Sequence, residues 1–174
     1  MQTSAGRPYR RSVRLHFDYR GATCFVTICS YFDRCTFGRI EGQEMVFSAI
    51  GRIIDEEWLN TSVIRPDVVL DEYQIMPNHM HLIVYIPESP TVIAGDHGRL
   101  VRPPRSLASL MGQFKAGVTR RVRELLRNPR YTVWQRGFHD KVIRNGEALE
   151  GIQTYIRNNP AEWSTDPHNP AFRS

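Results

Sequence analysis

Between Thr23 and Tyr31 the chain crowds β-branched and aromatic residues (Thr23, Phe25, Val26, Thr27, Ile28), the make-up of a strand with at least one buried face. The period then lengthens. From Gln43 to Leu59 the apolar positions Val46, Ala49, Ile50, Ile53, Ile54 and Trp58 recur at helical spacing, which predicts a helix with one stripe turned to a core. Val68 to Met76 and His79 to Ile86 return to strand patterning. Pro77 and Asn78 between them suit a tight turn, because proline presets φ and asparagine tolerates unusual backbone angles.

Pro87 to Ser106 is rich in proline and glycine and shows no period, so residues 87–106 are expected to form a mobile loop, able to act as a flap. A second helical stripe runs from Arg105 to Leu126 through Leu107, Leu110, Met111, Phe114, Val118, Val122 and Leu125. Tyr131 to Ile143 supplies a further strand. A third helix opens near Asn145 or Gly146 and must stop near Asn159, since Pro160 disfavours helical angles in the residue before it. The polar, proline-containing segment after Trp163 is expected to be a loose tail over residues 164–174, and residues 1–20 an N-terminal arm. The order β, α, β, β, α, β, α with a central hairpin excludes an all-parallel sheet. It predicts one antiparallel α+β domain over residues 1–174, with helices on one or both faces of the sheet.

Composition narrows the function classes. The chain is 41% apolar and 24% charged, as in ordinary globular proteins, and its apolar runs fall far short of the roughly 20 residues that cross a bilayer. The polar, basic start is not a secretory signal, so no membrane partner and a cytoplasmic location are expected. Cys24, Cys29 and Cys35 are odd in number and lack a CxxC pair, which speaks against a disulfide framework or a cysteine zinc site. A net charge of +5 and a pI near 9.4 give a field that attracts polyanions.

Candidate chemistry sits in two places. On a strand, residues two apart share a face, so His79 and His81 project together while Met80, Leu82, Val84 and Ile86 point the other way. Two adjacent imidazoles can ligate one divalent cation; they also occur as a hydrogen-bonded structural pair. A catalytic cation needs a further ligand, for which Asp71, Glu72, Asp140, Asn158 and Asn159 are candidates. On the third helix Tyr155 flanks the apolar stripe of Ile152 and Ile156, with Asn159 one turn further on. A phenol with its pKa near 10 attacks a phosphodiester only with help from positive charge, so the tyrosine needs the histidines. The alternative is a core-boundary tyrosine with a hydrogen-bonded hydroxyl. His139 and Asp140 are adjacent in a strand, point to opposite faces and read as structural.

Taken in order, five segments resemble the HUH single-tyrosine transposases, above all the REP-associated tyrosine transposases. They are Phe25-Val-Thr-Ile-Cys29, Met76-Pro-Asn-His-Met-His-Leu-Ile-Val84, Ser109-Leu-Met-Gly-Gln-Phe-Lys-Ala-Gly-Val-Thr119, Trp134-Gln-Arg-Gly-Phe138 and Gln153-Thr-Tyr-Ile-Arg-Asn-Asn-Pro160. The resemblance implies a ferredoxin-like or RRM-like antiparallel sheet flanked by helices, with the metal-binding HxH on a central strand. It implies that His79 and His81 bind Mg²⁺ or Mn²⁺, with Asn159 as a further ligand. It also implies that Tyr155 attacks single-stranded, hairpin-containing DNA to leave a 5′-phosphotyrosine link and a free 3′-hydroxyl, the cut being rejoined at another end. Relatives often carry a histidine where this chain has Lys141.

The basic residues Lys115, Arg120, Arg121, Arg123 and Arg127 of the second helix are expected to meet DNA phosphates, with Arg102, Arg105, Arg136, Lys141, Arg144 and Arg157 lining the approach. Tyr9, Phe17 and Tyr31 are candidates for base stacking. Two other readings compete: a non-catalytic, domesticated hairpin DNA- or RNA-binding protein, and a metal-dependent hydrolase of small phosphates. The resemblance leaves homodimer and monomer equally open.

Overall fold

The described residues of the computed structural model, 19–88 and 106–172, form strands β1 (Ala22–Cys29), β2 (Gly38–Glu41), β3 (Glu44–Phe47), β4 (Val69–Ile75), β5 (His79–Ile86) and β6 (His139–Ile143). The α-helices are α1 (Ala49–Ile64), α2 (Leu107–Leu126) and α3 (Gly146–Asn158), with 3₁₀ turns at Tyr31–Asp33 and Trp163–Thr165. Most of the arm expected over residues 1–20 and of the loop expected over 87–106 lies outside the described residues, and with it Tyr9, Phe17, Arg102 and Arg105.

Four strands build one antiparallel sheet in the order β4-β5-β1-β6, and the run β1-α1-β4-β5-α2-β6 is the ferredoxin-like βαββαβ pattern that the sequence resemblance implied. The HxH strand β5 is internal to the sheet. Alternation along β5 and β1 separates two faces. Met80, Leu82, Val84 and Ile86 join Cys24, Val26 and Ile28 in a core closed by Ile54 and Trp58 of α1 and by Leu110, Met111, Phe114 and Val118 of α2. These side chains are essentially fully buried, and each contributes about 1.5–3 kcal/mol. The opposite face carries His79 and His81 and a smaller apolar cluster of Ile83, Ile143 and Ile156, by which α3 packs on the sheet.

Helix boundaries have local causes. Ser48 caps α1 by accepting from the Gly51 amide at 3.1 Å, Ser106 caps α2 through the Ser109 amide, and Asn145 caps α3 through the Ala148 amide at 2.8 Å. The first helix therefore starts at Ala49 rather than Gln43. Val46 and Phe47 belong to a β2–β3 hairpin whose turn places Gly42 at φ +63°, and the two-residue alternation there mimics the start of a helical stripe over so short a run. The strand expected over Tyr131–Ile143 shrinks to His139–Ile143. Gly137 at φ +77° interrupts it, and upstream of that bend only an isolated bridge joins Trp134 to Ser30. No described helix is long and apolar enough to cross a membrane.

Candidate active site

Strand register assembles the histidine face. His79 lies opposite Cys29, and His81 lies opposite Thr27 on one side and Gln74 on the other, while Thr27 in turn faces His139. Both imidazoles of the pair are buried, with Nε2 to Nε2 at 3.1 Å. Asn78 fixes the first ring. Its Nδ2 donates to the carbonyls of Asp33 and His168, so its Oδ1 is the atom 2.9 Å from His79 Nδ1. A carbonyl oxygen can only accept, so His79 carries its proton on Nδ1 and turns the lone pair of Nε2 toward His81. His81 Nδ1 is held 2.8 Å from the Thr27 hydroxyl. Burial, with His168 adding to it, pushes the His81 pKa down to about 3, so this imidazole is neutral, the form that binds metal.

The further partner comes from the segment expected to be a loose tail. Asp166 is buried, its Oδ2 stands 3.7 Å from His79 Nε2, and His79, His81 and Asp166 offer ligand atoms that lie within 4.8 Å of one another. The Trp163 and His168 rings pack beside His79 at centroid distances of 6.1 and 4.5 Å. Residues up to Phe172 are ordered by two turns in which Asp166 Oδ1 accepts from the His168 amide and Asn169 Oδ1 from the Ala171 amide. Asp166 Oδ2 and Asn159 Oδ1 are buried acceptors without a hydrogen-bond partner. An unpaired buried Asp166 oxygen grouped with two buried imidazoles fits a divalent cation, which would satisfy it.

The acidic candidates named from sequence are engaged elsewhere. Asp71 accepts from Gln153 Nε2, and Glu72 pairs with Arg157 at 2.6 Å. These two acids sit in the irregular stretch of β4 between Leu70 and Tyr73, and they grip α3 two residues before and two residues after Tyr155. Asp140 accepts from the Tyr19 hydroxyl at 2.7 Å, and its register opposite Val26 puts it on the core face. Asn158 is exposed, whereas Asn159 is buried.

This docking brings the Tyr155 hydroxyl to 3.2 Å from His81 Nε2 within one chain. The tyrosine is 39% exposed, whereas His79, His81, Asp166 and Asn159 are buried. Burial and then the charge of Asp166 raise its pKa, while a hydrogen bond from Asn159 favours the phenolate. A bound cation would reverse the electrostatic part of this balance.

The basic residues divide. Lys115 is turned inward: Nζ donates to the Gln135 and Gly137 carbonyls at 2.7 Å each, the ammonium lies over the Trp134 ring, and burial lowers its pKa to about 8. These bonds make it a brace of the Gln135–Gly137 segment. Arg121 pairs with Glu56 and Glu57 of α1, and Arg157 with Glu72. Arg120, Arg123, Arg127 and Arg136 line an open groove of about 730 Å³ between α2 and the Trp134–Arg136 segment. Lys141 and Arg144 are exposed on and just beyond β6; Lys141 lies opposite Phe25, on the histidine face.

Sequence reasoning missed Asp166, Trp163 and His168. The signal for them was present in Asp166-Pro167 and Asn169-Pro170, pairs that initiate turns and so order a chain that composition alone reads as loose.

No family model matches the chain. An uncharacterized protein of Haemophilus influenzae is 34% identical over 172 residues, 94% of either chain, and the present chain belongs to the same family. Among solved structures, a REP-associated tyrosine transposase bound to a REP hairpin matches with a TM-score of 0.58 at 19% identity, over 85% of this chain and 72% of that one. A Deinococcus radiodurans protein provisionally named a transposase matches with a TM-score of 0.48 at 12% identity, over 91% and 97%. The fold is thus that of the REP-associated transposase.

Proposed function

We propose that this protein is a metal-dependent tyrosine transposase that cleaves and rejoins single-stranded, hairpin-containing DNA. The observation that carries the reading is the 3.2 Å approach of Tyr155 to His81 beside the His79, His81 and Asp166 group. A lone HxH or a lone helical tyrosine has a bland explanation; a tyrosine hydroxyl delivered to a buried imidazole pair is the arrangement that phosphodiester attack needs.

His79, His81 and Asp166 would hold Mg²⁺ or Mn²⁺, with the buried, unpartnered Oδ1 of Asn159 as a further ligand. Such an ion, when bound, supplies charge neutralisation at the scissile phosphate. Tyr155 Oη attacks phosphorus, the bond from phosphorus to the 3′-oxygen breaks, and a phosphotyrosine link to the 5′ end of the downstream strand forms. The phenol proton leaves to solvent, which reaches the half-open tyrosine, and the departing 3′-oxygen takes a proton to become a hydroxyl. Rejoining reverses the step with another 3′-hydroxyl, and no nucleotide cofactor is needed because the covalent link conserves the bond. Asn159 steadies the phenolate form, and Asp71 and Glu72 hold α3 so that Tyr155 faces the pair.

The test uses hairpin-bearing oligonucleotides labelled on either flank, incubated with Mg²⁺ or Mn²⁺. Label 3′ of the cut should travel with protein, and label 5′ of it should appear on a shorter strand ending in a hydroxyl. Hairpin binding with no cleavage in either metal would favour the domesticated, non-catalytic reading instead.

A further inference from the structure

At the end of β1, next to the histidine pair, the chain makes a turn whose cost needs a reason. Phe32 (φ 57°, ψ 32°) and Asp33 (φ 53°) are successive non-glycine residues in the left-handed region. Such strain persists only where neighbours enforce it. Here Asn78 Nδ2 donates to the Asp33 carbonyl at 3.1 Å, Gln135 Nε2 donates to Asp33 Oδ1 at 2.6 Å, and Ser30 Oγ donates to the Arg34 carbonyl at 2.8 Å. The product of this bracing is an aromatic surface presented to solvent. Phe32 is 68% exposed and Tyr31 39%, their rings meet edge to face at 4.3 Å, and the Arg34 guanidinium lies 6.0 Å from the Phe32 centroid.

The same Gln135 that braces the turn lines the groove of Arg120, Arg123, Arg127 and Arg136. Glu124 is the one acidic lining residue, and it meets Arg120 only loosely, at 3.5 Å with both side chains exposed. Among the described residues Arg127 and Arg136 make no ion pair. Lys115 fixes the groove wall from inside through the Gln135 and Gly137 carbonyls. The Gln135 amide donates to the Cys29 carbonyl, and Cys29 lies opposite His79, so platform, groove and histidine pair share one end of the sheet.

From this juxtaposition we infer that the Tyr31–Phe32 turn and the α2 groove form one binding track for unpaired DNA, phosphates along the arginines and a base stacked on Phe32. An exposed aromatic face beside a cationic groove is the combination that holds single strands: stacking tolerates any base, and the groove follows the backbone. A duplex cannot use the platform, because its bases already stack on each other. The inference rests on the proposal that the protein acts on single-stranded DNA, and it adds where the strand lies.

The test measures binding rather than cleavage, so that the two fail separately. With Tyr155→Phe protein in EDTA, the anisotropy of a labelled single strand of about 15 nucleotides reports affinity as salt is varied. Phe32→Ala should weaken binding about ten-fold, and Phe32→Trp should keep it within about two-fold. A strand of abasic sites should bind the parent more weakly than the base-bearing strand, yet bind Phe32→Ala no worse than that strand does. Arg127→Gln with Arg136→Gln should reduce the slope of log affinity against log salt by about 1.4. Unchanged affinity in Phe32→Ala, equal binding of the abasic strand by the parent, an unchanged salt slope, or tighter binding of the matching duplex would overturn the proposal. A protein that binds as expected but never cleaves leaves this track standing and removes the catalytic reading.

Discussion

The Tyr155 hydroxyl stands 3.2 Å from Nε2 of His81, although 74 residues separate them. Neither element achieves this alone. Strand β5 delivers His81 to an internal position of the sheet, and α3 crosses the same face with its flanks tied to Asp71 and Glu72 of β4. One chain therefore brings Tyr155 and the histidine pair together.

Asp166 is the residue on which the proposed ligand set turns. Asp166→Asn should lower Mn²⁺ affinity, measured by calorimetry, by about ten-fold or more, because a charged hard oxygen is replaced by a neutral one. In EDTA the same variant should melt no lower than the parent, since a buried carboxylate oxygen without a hydrogen-bond partner is removed. Equal Mn²⁺ affinity in the two proteins would take Asp166 out of the site.

Acid stability follows from His81. Its folded pKa of about 3 lies below the ordinary imidazole value near 6.5, so between these values the unfolded chain binds a proton that the folded chain refuses. Stability should thus fall as pH drops from 6.5 toward 3, by up to about 1.4 kcal/mol per pH unit from this group. Urea midpoints at several pH values should show a shallower acid limb for His81→Gln. Parallel limbs would mean that His81 is not held neutral.

Lys115 separates structure from surface. Lys115→Met strands two carbonyl acceptors and should cost about 1–3 kcal/mol in urea unfolding. Arg120→Ala, which breaks only an exposed pair with Glu124, should cost less than about 1 kcal/mol. Equal costs would contradict the inward placement of Lys115.

Lys115 also shows what the sequence could and could not disclose. Period and spacing placed β1, β5, α2 and α3 to within a few residues and put Met80, Leu82 and Val84 opposite the histidines, because burial imposes its repeat directly on the chain. Which cations face solvent is decided by tertiary neighbours: the Gln135 and Gly137 carbonyls claim Lys115, and Glu56 and Glu57 claim Arg121. The β2–β3 hairpin was too short to show its own period. Asp166 was hidden for a different reason: the segment that carries it is tied to the sheet by Asn78 donating to the His168 carbonyl, a contact between residues far apart in the chain. Tyr155 was legible as a candidate, and only the docking of α3 distinguishes it from an ordinary boundary tyrosine.

The most direct test is intact-mass spectrometry of the protein after incubation with a hairpin-bearing single strand and Mn²⁺. The account predicts a mass increase equal to the 3′ portion of the cleaved strand, mapped by digestion to Tyr155, dependent on metal, and lost in Tyr155→Phe and in His79→Ala with His81→Ala. An adduct that survives in Tyr155→Phe, or cleavage that proceeds with no adduct on any residue, would contradict it.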